Sequence, residues 1–253
     1  MPNTQPDTTT TSTATPGTPA WWAARTTDAP QARRRGRPVR SFQAIIDAAA
    51  ELLDEVGASA FNMRLLAKRL DSGTATLYRH VASKEELMVY VLDQLLGEIQ
   101  LADEGHRRQQ RNWRDAARTV ALQFHRVLTE HPNALPLLVS QIPIGPNALA
   151  RREQSIATLV RLGFSPQLAA RAYTTIAQYV IGSAVVQPGS PGPEDTAALA
   201  AYYRTLDPKT YPLTVAAADT LTTTSPEDGF RQGLELLLDG IDRSHRQQHT
   251  HSP

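Results

Sequence analysis

The chain has 253 residues, of which 41% are hydrophobic and 20% charged, a composition that fits a folded globular protein of one or two domains. It contains no run of eighteen apolar residues, so we expect no membrane-spanning helix. Cysteine is absent, which excludes a disulfide framework, a cysteine nucleophile and a cysteine-ligated metal, and which favours a cytoplasmic protein.

The formal net charge of +1 conceals an uneven distribution of charged residues. Residues 33–84 contain ten Lys or Arg against five Asp or Glu. A local excess of positive charge of this kind attracts phosphate groups. This part of the chain therefore favours a nucleic acid as its partner.

Residues 1–32 are rich in Thr, Pro, Ala and Asp, and we predict that they form a disordered tail. Trp21 and Trp22 are exceptions in this composition. We interpret them as part of the unfolded tail, with docking onto the folded body as the alternative.

Residues 33–38 begin an arginine-rich arm in which Arg35-Gly36-Arg37-Pro38 matches the core of the AT-hook motif. In that motif, Arg35 and Arg37 would lie in a narrow A·T-rich minor groove, where the negative potential is concentrated. A solvated arm that raises only the non-specific affinity for DNA is the open alternative.

Periodic apolar residues predict four helices within residues 39–100. The turn between the second and third helices, Asp71-Ser72-Gly73, is short and polar, and its glycine can adopt a positive φ. This is the layout of a helix-turn-helix, whose second helix enters the major groove of DNA. The helices are predicted from Ser41 to Gly57, over Arg64–Leu70, over Thr74–Val81, and from a capping box at Ser83 and Glu86 to about Gln100.

The third of these helices carries side chains that suit a DNA groove. Hydroxyl groups can bond to phosphates or base edges, and an arginine can take a guanine edge with two hydrogen bonds. Lys84 lies at the start of the next helix, where its ammonium and the helix N-terminus both favour a phosphate. The candidate DNA-binding residues on these grounds are Ser72, Thr74, Thr76, Tyr78, Arg79 and Lys84.

Four sequence motifs occur here in order: Ile46-x-x-Ala49-x-x-Leu52-Leu53 with Gly57, Met63-Arg64-x-Leu66-Ala67-x-x-Leu70, Thr76-Leu77-Tyr78-Arg79-His80-Val81, and Lys84-x-x-Leu87. Together they resemble the N-terminal domain of the tetracycline-repressor (TetR) family of transcription regulators. Relatives usually have glycine at the position of Asp71, so either Gly73 takes over the turn or Asp71 itself adopts the left-handed region. The resemblance implies base or phosphate contacts for Thr74, Thr76, Tyr78, Arg79 and His80, and backbone contacts for Arg64 and Lys84.

Residues 105–245 are predicted to form a second helical domain, followed by a short tail at 246–253. The segments Ser165–Val186 and Pro226–His245 are long and apolar on one face, which suits either an internal core or a dimer interface built as a four-helix bundle. The resemblance continues in Leu162-Gly163-Phe164-Ser165 and in Phe230-x-x-Gly233-Leu234. It implies that the last helices form a homodimer and that the domain holds a small-molecule pocket.

Six polar residues of this half lie on or near apolar helical faces. Taken alone, each is more often a core or surface residue than a ligand contact, but as a set they suit a polar-spotted pocket. A lone histidine such as His125 could ligate a metal carried by a ligand, as in tetracycline repressors, without establishing a metal site. The candidate ligand-binding residues are Gln123, His125, Asn133, Gln141, Tyr173 and Gln178.

The sequence therefore predicts an all-α, two-domain, homodimeric transcription regulator. We expect a ligand-responsive repressor that binds double-stranded DNA at a palindromic operator, with an unknown small-molecule effector and no required cofactor, metal or membrane. An architectural, nucleoid-type DNA-binding protein without an effector is the alternative. An enzyme is the third class, and the sequence shows no phosphate loop, nucleophile elbow or catalytic residue in its favour.

Overall fold

The computed structural model describes residues 14–27, 42–99, 112–186 and 192–250, and all regular structure in these ranges is helical. This confirms the predicted all-α class. The chain divides into two compact units, the first made of residues 1–98 and 136–151, the second of residues 99–135 and 152–253. None of the helices within the described ranges is both long enough and apolar enough to cross a bilayer.

Thirteen α-helices are found in the described ranges, and a single 3-10 turn at Pro132–Ala134 joins two of them. In chain order the helices are α1 Pro19–Thr27, α2 Phe42–Ala60, α3 Met63–Arg69, α4 Thr74–Tyr78, α5 Lys84–Gly97, α6 Trp113–Glu130, α7 Leu135–Ser140, α8 Pro146–Arg161, α9 Pro166–Val186, α10 Pro193–Thr205, α11 Pro212–Ala216, α12 Ala218–Thr223 and α13 Pro226–Thr250.

The core of the first unit forms where α2 packs against α5 and α3, and α3 packs against α4. Leu53 of α2 and Leu87 and Val91 of α5 are fully buried, as their helical spacing predicts. Gly57 breaks the helical geometry of α2 with a φ of 76°, and one further turn follows it to Ala60. The predicted end of the first helix is thus a kink, which glycine permits because it lacks a Cβ.

The segment that contains α1 belongs to the first unit, and the interpretation of its tryptophans as part of an unfolded tail is wrong. Trp21 is only 2% exposed. Its ring lies 5.4 Å from the ring of Tyr90 on α5, and the Trp22 ring meets the same tyrosine edge-on at 5.8 Å. The burial of Trp21 and its contact with Tyr90 therefore help to hold this short helix against α5.

The second unit is organised around α9, which packs against both α6 and α13. The predicted apolar stripe of the last helix is confirmed, because Phe230, Leu234 and Leu238 are all buried. A charged contact joins α6 to α13 at the edge of this core, where Arg118 Nε donates to Glu235 Oε1 at 2.6 Å. The shorter helices α11 and α12 pack against α10.

Candidate functional site

The helix-turn-helix begins at a capped helix. The Asn62 side chain accepts hydrogen bonds from the backbone amides of Arg64 at 3.2 Å and Leu65 at 3.0 Å, which satisfies two donors at the start of α3. Arg64 is exposed, whereas Arg69 at the other end of α3 binds Glu51 and Glu55 of α2. The hydrogen bond from Arg69 lowers the pKa of Glu55. Arg69 is therefore held by α2, and Arg64 is the candidate phosphate contact among the two arginines of α3.

The turn that follows α3 is made by Asp71 rather than by glycine. Asp71 has a φ of 47°, in the left-handed region that aspartate tolerates better than most residues. Gly73 has a φ of −82° and caps the start of α4, so of the two alternatives for the turn it is Asp71, and not Gly73, that adopts the positive φ. The Ser72 hydroxyl is buried and has no hydrogen-bond partner among the described residues, so it does not face a DNA groove in this conformation.

The recognition helix α4 is short and is anchored by two apolar side chains. Leu77 and Val81 are almost completely buried, while Tyr78 is 51% exposed and Arg79 is also exposed. The Arg79 guanidinium donates to the Thr76 hydroxyl at 3.4 Å, so these two polar groups lie on the same edge. The helix ends at Tyr78 instead of Val81, although a helical turn continues through the backbone bond from Val81 to Leu77.

The other predicted contacts of this region occupy different environments. Thr74 is half-buried at the first position of α4. His80 is also half-buried, and its ring lies 6.4 Å from that of Phe42 at the start of α2. Arg35 and Arg37 of the AT-hook-like arm lie outside the described residues.

Lys84 has a structural role that the sequence did not reveal. Its ammonium donates to the carbonyl oxygens of Ala58 at 3.0 Å and Phe61 at 2.7 Å. These bonds tie the start of α5 to the end of α2 and leave one ammonium donor of three for a phosphate.

The predicted capping box at the start of α5 is formed with one difference. The Ser83 hydroxyl accepts from the Glu86 amide at 3.1 Å, as expected. The Glu86 carboxylate, however, accepts from the amide of Ala82 at 2.7 Å instead of that of Ser83. Its other oxygen binds Arg25 of α1 at 2.6 Å, so the residue that caps α5 also holds the N-terminal segment.

In the second unit, His125 lies in an aromatic stack. The residue is 8% exposed, and its ring is nearly parallel to that of Phe230 at a centroid distance of 3.8 Å. Tyr179 stacks on the same phenylalanine at 5.6 Å, and its hydroxyl donates to the Phe230 carbonyl at 2.9 Å. Burial lowers the pKa of His125, which favours the neutral imidazole. The sequence singled out His125 but did not include Phe230 and Tyr179 among the candidate ligand residues.

The remaining predicted ligand residues do not share one environment. Gln123 accepts a hydrogen bond from Arg126 on the surface of α6, and Gln178 is exposed on α9. Tyr173 lies under the Arg152 guanidinium at 5.9 Å, and Asn133 is half-buried in the 3-10 turn. The described residues hold no group of three or more His, Cys, Asp or Glu that could bind a metal ion.

Gln141 belongs to the first unit, where it lines a cavity of about 720 Å³. The cavity lies between residues 15–19, the first turns of α5 and residues 137–144. Met88, Val89 and Ile144 give it a largely apolar wall. Gln141 therefore belongs to the first unit, whereas the aromatic stack belongs to the second.

Comparison with known proteins places both halves of the chain in one family. Residues 45–91 match the bacterial regulatory proteins of the tetR family, and residues 107–244 match the tetracyclin repressor-like C-terminal domain. An HTH-type transcriptional regulator from Saccharopolyspora erythraea is 36% identical over 154 residues, which is 61% of this chain and just under two thirds (64%) of that relative's own length. The repressor DrrR1 of Streptomyces coeruleorubidus is 27% identical over 224 residues, covering 83% of this chain and 80% of the relative.

Solved structures agree with these matches. Apo ActR from Streptomyces coelicolor aligns with a TM-score of 0.75 at 25% identity, over 84% of this chain and all of ActR. ActR in complex with actinorhodin aligns with a TM-score of 0.73 at the same identity, over 83% of this chain and 99% of ActR. The C-terminal match alone spans more than half of the chain, and it follows the DNA-binding match in the order found here. The chain therefore belongs to the TetR family of bacterial helix-turn-helix transcription regulators.

Proposed function

We propose that the protein is a homodimeric repressor that binds a palindromic operator through α4 and releases it when a small organic molecule binds the second unit. The observation that carries the proposal is the polar edge of α4. Tyr78 and Arg79 are exposed at the end of α4, while Leu77 and, in the turn that follows, Val81 are buried. A helix held in this way can present its polar residues to a major groove without losing its own packing.

The DNA contacts divide by the environment of each side chain. Arg79 has the guanidinium that suits a guanine edge, and Tyr78 and Arg64 are exposed enough to reach phosphates or bases. Lys84 contributes mainly by fixing the start of α5. Ser72 is not proposed as a DNA contact, because its hydroxyl is buried. Thr74, Thr76 and His80 stay as secondary contacts in the proposal.

The arm with Arg35 and Arg37 is proposed as a minor-groove reader, with non-specific phosphate binding as its alternative. Deleting residues 33–37 weakens DNA binding under both interpretations. Only minor-groove reading predicts a larger loss for operators with A·T-rich flanks than for operators with G·C-rich flanks.

The proposed dimer uses the outer faces of α9 and α13. Leu236 is 66% exposed although it lies between buried residues of α13, and Val185 and Val186 are exposed at the end of α9. Apolar side chains of this size on one long helix pair suit a two-fold interface with a second copy. A dimer of this kind presents two copies of α4 about 34–36 Å apart, which matches two major grooves one helical turn apart.

The effector site is proposed near the stack of His125, Phe230 and Tyr179. The structure of ActR with actinorhodin and that of an Acinetobacter baumannii TetR variant with minocycline support a small organic effector in relatives of this fold. An effector can switch the protein only if it binds the DNA-free state more tightly than the DNA-bound state. We propose that the switch moves α5 and thereby changes the separation of the two recognition helices.

A footprint on the DNA that flanks the protein's own gene tests this function. We expect a protected, two-fold symmetric segment that excess random DNA does not remove. An architectural protein would instead protect all flanking segments alike and bind random DNA as tightly, and that result would exclude a sequence-specific regulator.

A further inference from the structure

The helix α1 lies outside residues 45–91, which carry the family's DNA-binding match, yet it is built into the same unit. Two paths of contacts, which meet at Tyr90, run from α1 to residues 80–82 between α4 and α5. One path is polar and the other aromatic.

The polar path begins at Arg25 and passes through a buried carboxylate. Arg25 Nη2 donates to Glu86 Oε1 at 2.6 Å, and the Ala82 amide donates to Glu86 Oε2 at 2.7 Å. Glu86 is only 4% exposed, so these two donors satisfy a carboxylate that has little contact with water. The carboxylate thus holds α1 with one oxygen and the backbone that follows α4 with the other.

The same guanidinium is fixed from two other sides. Its Nε donates to the Tyr90 hydroxyl at 3.1 Å, and its carbon lies 3.8 Å from the centre of the Trp21 ring. Burial raises the pKa of Tyr90, so the hydroxyl accepts this bond in its neutral form. A planar guanidinium can serve all three partners at once, which the point charge of a lysine cannot do.

The aromatic path begins at Trp21 and Trp22 and ends at His80, just after α4. Trp21 and Trp22 flank Tyr90, and the Tyr90 ring meets Phe42 edge-on at 5.0 Å. Phe42 in turn stacks on His80 at 6.4 Å. Residues 80 and 82 are therefore supported by α1 through different neighbours.

We propose that α1 is a positioning element of the DNA reader, which is the helix-turn-helix formed by α3 and α4. Arg25 is its positioning residue and acts on the recognition helix α4 through Glu86 and Ala82. The reason is the length of α4. A helix of five residues has no stability of its own, so its direction is set by what holds its ends. The Asn62–Gly73 segment fixes one end, and the junction at residues 80–82 fixes the other.

Loss of the bridge from Arg25 through Glu86 to Ala82 would leave the DNA-contacting residues intact but less often correctly placed. If the competent orientation falls to about a tenth of the population, the apparent Kd for the operator rises about tenfold. This inference rests on the proposed function, because it takes operator binding as its readout. The exchange rate of the Ala82 amide gives a second readout that needs no DNA.

The test compares full-length Arg25→Met with the wild type on a palindrome that the wild type has selected from random DNA. We expect the Kd to rise about tenfold while the slope of log affinity against log salt stays the same, because no phosphate contact has been removed. Amide exchange at Ala82 should become faster in the free protein. Arg25→Lys, which keeps the charge but not the fork, should recover only part of the affinity.

Two controls test whether the effect is specific to the contact between Arg25 and Glu86. Arg126→Met removes an arginine from the exposed ion pair with Glu130 and should leave operator binding unchanged. Arg25→Met should raise the Kd by less in a Glu86→Gln background than in the wild type, because both changes break the contact between Arg25 and Glu86.

The proposal is overturned if Arg25→Met binds the operator as tightly as the wild type, or if the salt slope falls by about one, which would make Arg25 a direct phosphate contact. Unchanged exchange at Ala82 would also overturn it. A wild type that selects no palindrome would contradict the proposed function instead. The amide exchange rate of Ala82 would still show whether Arg25 holds this backbone through Glu86.

Discussion

The recognition segment and the aromatic stack of the second unit are built in different ways. Residues 74–81 carry their chemistry within two helical turns, with Leu77 and Val81 inward and Tyr78 and Arg79 outward. The stack of the second unit joins His125, Tyr179 and Phe230, which come from three helices. The DNA reader is therefore encoded by local order in the chain, whereas the candidate effector site depends on tertiary packing. Substitutions of the exposed residues in 74–81 should therefore affect DNA binding alone. Substitutions in the aromatic stack should affect the stability of the protein as well.

The largest expected effect is on the DNA reader. Replacing Tyr78 and Arg79 together with alanine should lower operator affinity about 100-fold, because each lost base or phosphate contact is typically worth about 1–3 kcal/mol. The melting temperature should hardly change, since both side chains are exposed. Fluorescence anisotropy with a labelled operator measures the first quantity and circular dichroism the second. A double variant that binds as tightly as the wild type would remove α4 from the interface.

A charge on the proposed dimer face should have the next largest effect. Leu236→Lys places an ammonium where we expect a second copy, so the dimer should dissociate in light scattering after size-exclusion chromatography. Operator affinity should fall by about tenfold or more, because a monomer holds only one half-site. Leu213→Lys, at a more exposed leucine of α11, is the matched control and should stay dimeric. If Leu236→Lys also stays dimeric, the interface lies elsewhere.

These regions also show how far the sequence alone could reach. The helix-turn-helix could be predicted because its buried residues, polar edge and following cap lie within about twenty residues of one another, as at Leu66, Leu77 and Ser83. The contacts of Lys84 and Arg25 could not, because each depends on groups more than twenty residues away in the chain. The composition of residues 1–32 hid the docking of Trp21 for the same reason, since low average hydrophobicity does not show where a single large side chain finds a partner.

The stability of the protein should depend on pH through His125 of the second unit. Burial lowers the pKa of His125 in the folded state, so the unfolded chain binds the proton more readily. The free energy of unfolding is therefore not reduced by His125 above the unfolded pKa of about 6.5. It decreases as the pH falls through that value toward the folded pKa. Wild type should therefore lose more of its melting temperature between about pH 7.5 and about pH 5.5 than His125→Gln does. Equal losses would mean that the stack does not disfavour the protonated ring.

The smallest effect is expected at the turn of the DNA reader. Asp71→Ala forces a β-carbon without a polar side chain into the left-handed region, whereas Asp71→Gly removes the steric cost. The alanine variant should be less stable than the glycine variant by about 1 kcal/mol in urea denaturation. The glycine variant should lie within about 0.5 kcal/mol of the wild type, since its greater freedom when unfolded offsets the relief. Equal stability of the two variants would contradict the left-handed turn at Asp71.

The central claim is that a dimer of this chain reads DNA through α4. The most direct measurement is selection of binding sites from random-sequence DNA by the wild-type protein and by the Tyr78→Ala, Arg79→Ala double variant. We expect the wild type to enrich a palindrome whose half-sites are about one helical turn apart, and the double variant to enrich no common sequence. Enrichment of the same palindrome by both proteins, or of no sequence by the wild type, would contradict the account.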